Sequence, residues 1–379
     1  MRITITQGAF LPVPPLRGGA VEKVWFELGK EFAKAGHFVT HISRAFSGLP
    51  KSEWIENVNH VRVQGYDAPK SILLLKALDL FYSIRVARQL PAADILVTNT
   101  FWLPVIVRSQ KWGQLYVHVA RYPRGQMKLY RHAARLQTVS DPIKEAIATE
   151  VDVSESKLST IPYPVWGQDV RAAAPVHARR KEILFVGRIH PEKGLHLLIE
   201  AFLHISPMKR KEWRLVIVGS TEFNTGGGGP GYREAILGRA ALLGDKIDWV
   251  GPVYESIKLN EFYRRASLFV YPSLAERGET FGLAPLEAMS NGCPALVSNL
   301  RCFREYLDAE VDGFVFDHRV QEPSWELAKR IEELIENPSV LIAASAAGLV
   351  KARGFSLPRV AQMFLDDFEK LLPRSPSAS

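Results

Sequence analysis

Hydrophobic positions follow two patterns along this chain: short apolar runs typical of buried strands, and longer stretches with helical spacing. In Ala20–Ala35, the residues Val24, Leu28 and Phe32 fall on one helical face, and Gly36 is a suitable stop. Strand-like runs lie before and after this helix. They are Arg2–Thr6, Phe38–Ser43, Val58–Gln64, Ile95–Thr98, Leu115–Val119 and Leu136–Val139. Such alternation of strand and helix predicts a parallel α/β sheet.

A second alternating series follows. Its predicted strands are Lys181–Val186, Arg214–Val218, Ile247–Val250 and Leu268–Tyr271, and its predicted helices are Gly194–Leu203, Gly231–Leu243, Leu259–Arg265, Trp325–Glu336 and Leu341–Lys351. Between the two series, residues 159–175 are rich in proline and alanine and aperiodic, which is typical of a linker. We therefore expect an α/β protein of two Rossmann-like domains, residues 1–170 and 171–354, with parallel sheets facing a central cleft.

Size and composition are consistent with two folded domains. The chain has 379 residues, more than one hydrophobic core usually supports, and 47% of them are hydrophobic. The last six residues, 374–379, contain serine and proline and are predicted to form a disordered tail. The two cysteines do not suggest a disulfide framework, the N-terminus lacks an apolar signal-peptide core, and no apolar run approaches about 18 residues. These features predict a cytoplasmic protein.

Positive charge is concentrated in the first half. Residues 1–170 contain 21 Lys and Arg against 14 Asp and Glu, whereas the remainder contains 27 against 26. If residues 121–135 are helical, one face carries four cations, Arg124, Lys128, Arg131 and Arg135. This stripe is either an ordinary solvated face or a contact with an anionic membrane, which would place the protein at the inner face of the cytoplasmic membrane. The apolar segment 71–90 is more typical of a core helix and is a secondary candidate for an interfacial contact.

The most informative motif is a pair of carboxylates, Glu279 and Glu287, eight residues apart around a predicted helix start. A buried strand precedes the pair, and Pro285 suits the first helical position. The backbone amides of Phe281, Gly282 and Leu283 should then lie at a helix N-terminus, which is a favourable anion site. The glutamates could accept hydrogen bonds from neutral hydroxyls. The alternative is that both are ordinary carboxylates near a helix start.

Two cations follow the first predicted strand of the second domain. Arg188 lies at the carboxyl end of that strand, and Lys193 lies at the start of the next helix. A cation at a helix N-terminus opposes the helix dipole, so its presence there suggests a nearby anion such as a diphosphate. The alternative is a surface Lys193 paired with Glu192.

Three further features are less specific. Gly18 and Gly19 lie between a strand and a helix, where backbone can approach a phosphate or a sugar. His118 follows a strand and is expected to point toward the cleft, although a lone histidine there is more often structural. Residues 224–231 are glycine-rich but lack the Lys-Ser/Thr of a phosphate-binding loop, so a mobile loop near the cleft is expected. No Asp-x-Asp motif lies in a plausible place for binding a metal–diphosphate complex. We therefore expect that cations and the helix dipole neutralise the phosphate charge and that no metal cofactor is needed.

Together these motifs resemble those of the retaining GT-B glycosyltransferases of family four, also called glycosyl transferases group 1. The resemblance runs along nearly the whole chain, and its most specific part is the Glu279/Glu287 motif combined with Arg188 and Lys193. Further matches are Gly18-Gly19, Gly36-His37, Ser140, Gly194, Phe281-Gly282, Ser290–Pro294, Glu305 and Asp312-Gly313. The linker departs from the family pattern, because residues 161–166 read Ile-Pro-Tyr-Pro-Val-Trp where Ile-Pro-Asn-Gly-Val-Asp is common.

The resemblance implies a role for each matching position. Glu287 would bind the nucleotide ribose, and His118 would lie beside the transferred sugar. The donor diphosphate would be bound by Arg188, Lys193, Gly19 and the segment Thr280, Phe281, Gly282 and Leu283, with Glu279 at the sugar. His118 and Glu279 are thus the implied catalytic residues. The last helix, within residues 355–373, would cross back to the N-terminal domain.

The implied function is transfer of a hexose from a nucleoside-diphosphate sugar, with UDP as the favoured nucleotide, to a saccharide, lipid-linked or other hydroxyl acceptor. The anomeric configuration would be retained, through same-face attack assisted by the leaving phosphate, in glycan or glycoconjugate biosynthesis. The alternatives are a GT-B epimerase or phosphorylase, and a non-catalytic basic module for a membrane surface or nucleic acid. Nucleic-acid binding is not expected, because no aromatic stacking platforms accompany the basic residues.

Overall fold

The computed structural model describes residues 1–165 and 178–373. They form two compact units, one containing Met1–Pro164 together with the chain from Leu357 onward, the other containing Val165–Ser356. The predicted boundary between residues 170 and 171 and the predicted tail at 374–379 lie outside the described residues.

The first unit is built on an eight-stranded sheet with the order β3-β4-β2-β1-β5-β6-β7-β8. The strands are β1 (Arg2–Thr6), β2 (Phe38–Arg44), β3 (Ser52–Ile55), β4 (Val58–Val63), β5 (Ile95–Thr98), β6 (Gln114–Val119), β7 (Arg135–Thr138) and β8 (Leu158–Thr160). Only the pairing of β3 with β4 is antiparallel. The order reverses between β1 and β5, so this is the switch point where α/β sheets bind ligands.

The second unit repeats this arrangement in a six-stranded parallel sheet with the order β11-β10-β9-β12-β13-β14. The strands are β9 (Arg180–Val186), β10 (Arg214–Val218), β11 (Ile247–Gly251), β12 (Ala266–Tyr271), β13 (Ala295–Ser298) and β14 (Phe314–Phe316). The central strands are buried on both faces, which explains their continuous apolar sequence. The switch point lies between β9 and β12. Both sheets are parallel and Rossmann-like, as the sequence predicted.

Helices occupy most of the connections between strands. In the first unit they are α1 (Ala20–Lys34), α2 (Ile72–Ala87), α3 (Leu103–Ile106), α4 (Asp141–Glu150) and α12 (Leu357–Glu369). In the second unit they are α5 (Leu195–His204), α6 (Pro207–Arg210), α7 (Gly229–Ala240), α8 (Ser256–Arg265), α9 (Leu283–Ser290), α10 (Pro323–Ile335) and α11 (Pro338–Arg353). The apolar face predicted for α1 is correct, because Val24, Leu28 and Phe32 are fully buried.

The last helix, α12, belongs to the first unit, as the resemblance implied. Its Phe364 packs against Trp25 of α1, with ring centroids 5.0 Å apart, and its Phe368 packs against Tyr116 of β6 at 4.9 Å. Asp367 accepts a hydrogen bond from the Tyr116 hydroxyl and forms an ion pair with Arg135 of β7 at 2.8 Å. This helix therefore completes the core of the first unit. About 190 residues of the second unit separate it in the sequence from the rest of the first unit.

Residues 121–135 do not form the helix on which the possible basic stripe depended. A single 3₁₀ turn, Met127–Tyr130, is the helical part of this segment, and Arg135 begins β7 instead. Arg124, Lys128 and Arg131 are exposed, whereas Arg135 is buried in its pair with Asp367. The stripe therefore does not exist as a helical face, because the helical spacing on which it depended is absent.

Several short elements were not predicted. The strands β3, β8, β13 and β14 have three or four residues each, too few to show a clear period. One of them, β8, overlaps the start of the segment predicted as a linker, so that segment is in part a strand. The helix α9 begins at Leu283, so Pro285 occupies the third helical position and not the first.

A membrane span requires a helix of about 18 or more predominantly apolar residues. Within the described ranges, no helix taken alone is long and apolar enough to cross a bilayer. One pair bent by 93°, α10 with α11, satisfies length and composition only when its two helices are taken together.

Candidate functional site

The loops that follow β9 and β12 approach each other closely at the switch point of the second unit. Gly194 ends the loop after β9 in a left-handed conformation, with φ of 69°. A Cβ atom at this position would lie 1.9 Å from the carbonyl oxygen of Pro272, which follows β12. Only glycine permits this approach. In addition, the carbonyl of Glu192 accepts a hydrogen bond from the amide of Leu274 at 2.8 Å.

A buried ion pair joins these two loops. The ammonium of Lys193 lies 2.7 Å from Oε2 of Glu279, and both side chains are less than 10% exposed. The same ammonium lies 5.6 Å from the ring centroid of Tyr271, the last residue of β12. Burial opposes both charges, but attraction to the partner prevails: the pKa of Lys193 is raised and that of Glu279 is lowered. Both groups are therefore charged at neutral pH.

Arg188 lies beside this pair and is more accessible, with 46% of its side chain exposed. Its Nη2 donates to Oε1 of Glu192 at 2.7 Å, and its Nη1 donates to the carbonyl of Gly226 at 2.6 Å. The alternative prediction, a surface Lys193 paired with Glu192, is therefore wrong. Glu192 pairs with Arg188, and Lys193 is buried against Glu279.

The glycine-rich segment 224–231 is attached to the same site. The amide of Gly228 donates to the carbonyl of Ile189 at 2.9 Å, and the amide of Gly229 donates to that of Thr221 at 2.8 Å. The first bond holds the segment against the loop after β9, and the second holds it against the loop after β10. The helix α7 begins at Gly229. The carbonyl of Gly226 thereby fixes the position of the Arg188 guanidinium.

The start of α9 is fixed by aromatic residues. Gly282 is its N-cap, with φ of 76°, and a Cβ there would lie 2.4 Å from the ring of Phe303. The hydroxyl of Tyr306 donates to the Gly282 carbonyl at 2.7 Å, and Phe281 is buried against the Tyr306 ring. The first-turn amides, beginning with that of Leu283, have no acceptor within the helix itself, so this end attracts anions. Thr280, half-buried, lies in the connection from Glu279.

Glu287 lies further along α9 and is half-buried. The hydroxyl of Tyr263 donates to its Oε2 at 3.1 Å, which orients the carboxylate. The structure thus brings Arg188, Lys193 and Glu279 together around the switch point and places Glu287 on the helix that begins there.

The first unit places His118 inside β6, and it is buried rather than openly presented. Its Nδ1 lies 2.5 Å from Oε1 of Gln137, and its Nε2 lies 3.1 Å from the Tyr163 hydroxyl. Trp25 contacts the ring edge-on, with centroids 5.3 Å apart. Burial lowers the pKa of His118 to about 4, so the imidazole is neutral at pH 7. It can align or polarise a hydroxyl, but it does not supply a positive charge.

Gly19 is the N-cap of α1, with φ of 98°. A Cβ at this position would lie 2.2 Å from Oε2 of Glu22, so the carboxylate occupies the space beside the backbone. Burial raises the pKa of Glu22, while the charge of Arg121 opposes that shift. His118 and Gly19 lie in the first unit, and the other predicted site residues lie in the second.

Sequence reasoning missed several polar residues at these sites. At the switch point of the first unit, Asn99 follows β5 and donates to Oε1 of Gln7, which follows β1, at 2.9 Å. Nε2 of Gln7 and Oδ1 of Asn99 are buried without a hydrogen-bond partner in the described structure. Their position directly after two strands could have identified them as candidate site residues from the sequence. The tyrosines Tyr163, Tyr263 and Tyr271 gave no such signal, because buried tyrosines are common in cores.

A family model and individual proteins match this chain. Residues 168–348 match the family described as glycosyl transferases group 1. A lipopolysaccharide core biosynthesis mannosyltransferase, LpsB of Rhizobium meliloti, is 26% identical over 54% of this chain and 56% of its own length. Spore coat protein SA of Bacillus subtilis is 24% identical over 98% of this chain and its whole length. Apart from such full-length matches, this chain spans about half the length of the first curated relatives it matches.

Solved structures with the same fold extend over nearly the whole chain. The crystal structure of Anabaena Alr3699/HepE in complex with UDP and glucose superimposes with a TM-score of 0.73 at 17% identity. It covers 97% of this chain and 99% of its own. At this level of identity the similarity establishes the two-domain fold and does not by itself establish an activity.

Proposed function

We propose, from the match of residues 168–348 to the glycosyl transferases group 1 family, that this protein is a glycosyltransferase in glycan or glycoconjugate biosynthesis. The donor would be a nucleoside-diphosphate hexose, with UDP as the favoured nucleotide. The acceptor would be a hydroxyl of a saccharide or of a lipid-linked sugar. The relatives named as mannosyltransferases and the neighbour crystallised with UDP and glucose support these substrate classes.

The observation that carries the proposal is the charged cluster at the β9/β12 switch point. A diphosphate requires cations and hydrogen-bond donors, and this place offers Arg188, Lys193 and the N-terminus of α9. Arg188 is accessible and can exchange its bond to Glu192 for a phosphate oxygen. The ammonium of Lys193 has three donors, and Glu279 accepts only one of them.

The state of Glu279 supports a role in binding and not in nucleophilic attack. Its carboxylate is held by Lys193 in a buried pair, which lowers its nucleophilicity and disfavours its protonation. We propose that it orients the sugar, while Glu287 accepts hydrogen bonds from the ribose hydroxyls. Retention of configuration would then follow from attack on the face of the leaving diphosphate, which takes the acceptor proton, unlike the covalent route of retaining hydrolases. His118, neutral and fixed by Gln137 and Tyr163, would align a hydroxyl of the transferred sugar.

We also propose that catalysis needs no metal ion, because the cations and the helix N-terminus supply the positive charge that a diphosphate needs. Turnover of the accepted nucleotide-sugar should therefore be unchanged in excess EDTA. Turnover restored only by Mg²⁺ or Mn²⁺ would contradict this part of the proposal.

The test of the donor site uses two exposed arginines of the second unit. Arg188→Ala removes the proposed diphosphate contact, and Arg239→Ala removes an arginine that pairs with Glu200 on α5 in a similar surface setting. Charge-assisted hydrogen bonds contribute about 1.5–3 kcal/mol, so Arg188→Ala should raise the Kd of the nucleoside diphosphate roughly 10- to 100-fold. Isothermal titration calorimetry with UDP, GDP and ADP would measure it, after a thermal-shift panel has identified the nucleotide. Equal affinities of the two variants would contradict the site.

Product analysis separates transfer from the related activities. Transfer yields a nucleoside diphosphate and a glycosylated acceptor in equal amounts. An isomerised nucleotide-sugar would indicate an epimerase, and sugar 1-phosphate formed with inorganic phosphate would indicate a phosphorylase. Both outcomes would retain the donor site and reject the proposed reaction.

A further inference from the structure

The helix α2 of the first unit has an inverted polarity. Asp79, Tyr82, Ser83 and Val86 are buried on its inner side. Apart from Lys76, its exposed residues are apolar: Leu73 is 81% exposed, Ile72 67%, Phe81 54% and Leu74 50%. A surface helix of a protein in water normally shows the opposite arrangement. The sequence prediction of a core helix was therefore wrong for this face, which has no protein covering it in the described structure.

The exposed residues form a continuous stripe. Leu73, Ala77 and Phe81 are spaced at i, i+4 and i+8, so they lie along one side of the helix over about 12 Å. The helix starts after the loop that follows β4, at the carboxyl edge of the sheet. Its apolar N-terminal turn thus lies at the edge where ligands of this kind of sheet bind.

A neighbouring segment extends this surface. The indole of Trp102 donates to the carbonyl of Lys76, and the amides of Phe101 and Trp102 donate to Asp79. The hydroxyl of Tyr130 donates to the Phe101 carbonyl at 2.8 Å, which joins the 3₁₀ turn to the same patch. Leu129 in this turn is 43% exposed.

Most charged residues in this part of the sequence are basic, although the Glu150 carboxylate accepts hydrogen bonds from the amides of Gly125 and Met127 beside the 3₁₀ turn. Residues 68–134 contain ten Lys and Arg and only two acids, Asp79 and Asp94. Asp79 is buried, and Asp94 forms an ion pair with Arg2 at 2.8 Å. From residue 95 to residue 134 there is no acid at all. Lys76 on α2 and Lys128 beside Leu129 are exposed.

We propose that this face, α2 with the Phe101–Trp102 and Met127–Tyr130 segments, docks on an anionic lipid bilayer. Apolar side chains enter the interface while surrounding cations contact anionic headgroups. The charge complementarity favours this occupant over a second copy of the chain, since two such faces would repel each other. The proposal rests on the proposed function in one respect: it gives an enzyme that uses a lipid-linked acceptor a way to reach it.

Vesicle co-sedimentation of the full chain tests the docking face. The probes are vesicles of phosphatidylcholine alone and vesicles with 30% phosphatidylglycerol, roughly the anionic content at which surface potentials bind basic proteins. Leu73→Gln/Phe81→Gln removes the stripe, and Met208→Gln/Ile257→Gln is the control, since Met208 and Ile257 are 85% and 79% exposed in the other unit. Lys76→Gln/Lys128→Gln tests the charge, with Lys211→Gln/Lys329→Gln as its control.

The wild type should sediment with the anionic vesicles and much less with the neutral ones. The stripe variant should lose at least about tenfold in partition coefficient, and the Lys76/Lys128 variant about 25-fold, from roughly fivefold per cation. Both control variants should behave as wild type. Sedimentation of the stripe variant equal to that of its control would overturn the proposal. The proposal would also be overturned if the wild type did not sediment with anionic vesicles but formed a dimer, and the Leu73→Gln/Phe81→Gln variant were monomeric.

The failure of docking is distinguishable from failure of the proposed function. Nucleotide affinity is measured by calorimetry without lipid, and all substituted residues here lie outside the donor site. Normal nucleotide binding with no vesicle effect rejects only the docking face. Vesicle binding that depends on the stripe, combined with no affinity for any nucleoside diphosphate, rejects only the enzyme.

Discussion

The two units use the same strand order but have opposite chemistry at their switch points. In the second unit, the loops after β9 and β12 carry Lys193, Glu279 and Arg188, all charged. In the first unit, the corresponding loops after β1 and β5 carry the amides Gln7 and Asn99. The sheet order therefore determines where a ligand can bind, and the side chains after the strands determine which ligand. Fixed charges suit a diphosphate, whereas neutral amides and a neutral imidazole suit hydroxyl groups.

The comparison also concerns stability. Charge in the second unit is buried as a pair, and each partner depends on the other. The first unit also buries an ion pair, Arg135 with Asp367, but in addition it buries histidines as neutral rings. Burial lowers the pKa of His118 and of His60 to about 4 and that of His41 well below its usual value. The two units should consequently respond to different perturbations.

The largest expected effect is the loss of one member of the buried pair. Lys193→Met leaves the Glu279 carboxylate buried without its cation, which should lower the free energy of unfolding by about 3–5 kcal/mol. Urea denaturation at pH 7 measures this loss. The double variant Lys193→Met/Glu279→Gln should recover much of it. Lys209→Met, which removes a more accessible partner of Glu332, should lower the stability much less, and an equal loss for both lysine variants would contradict the role of the pair.

A smaller loss is expected when the contact between the loops after β9 and β12 is disturbed. Gly194→Ala forces a side chain into the left-handed region and against the Pro272 carbonyl, at an expected cost of about 2–4 kcal/mol. The same denaturation experiment measures it. Gly231→Ala is the matched control, because its Cβ would meet no atom within 4 Å inside α7, and it should be neutral or stabilising. Tolerance of Gly194→Ala would mean that the loops can separate.

Acidification should affect the first unit before the second. Because the folded state keeps His60 and His118 neutral, the unfolded chain binds more protons between about pH 4 and 6.5, and stability falls as the pH drops through that window. The cost is about 1–2 kcal/mol per histidine between pH 6.5 and 5. Asp79, whose pKa burial raises to about 6, offsets part of it. Lys193 and Glu279 keep their charges in this window.

Urea denaturation at pH 7 and pH 5 measures this difference. His60→Phe removes a titrating group while keeping a ring against Phe26 and His41, so it should make unfolding less dependent on pH. An unchanged pH dependence in His60→Phe would show that this ring is not responsible.

The smallest effect concerns the competition for Arg188. The Glu192 carboxylate forms an ion pair with the Arg188 guanidinium, and a diphosphate must displace it to bind there. Glu192→Gln should therefore tighten nucleotide binding about two- to fivefold, which is the size expected for an exposed ion pair. Calorimetry would detect the change. Glu200→Gln, which releases Arg239 and leaves the Arg188 pair intact, is the control and should have no effect. Weaker binding in Glu192→Gln would mean that Glu192 positions Arg188 for the ligand instead of competing with it.

The sequence predicted the parallel sheets well because β1, β5, β9, β10 and β12 are mostly buried runs between clear helical patterns. It predicted that Arg188, Lys193 and Glu279 lie near one another, because they follow strands that must end at one edge. It did not predict that Lys193 pairs with Glu279, since a contact across 86 positions leaves no local pattern. The supposed basic helix failed because charge spacing alone cannot establish helicity over residues 121–135.

The position of α12 in the first unit has a consequence for synthesis of the chain. The residues of the second unit, 165–356, are translated between the body of the first unit and its last helix. At about 5–20 residues per second, the ribosome needs roughly 10–40 s for that interval. During this time Tyr116 and Arg135 have no Asp367, and Phe32 lacks the ring of Phe368. The second unit, contiguous in sequence, can therefore finish folding first, while the nascent first unit exposes a groove that chaperones could bind.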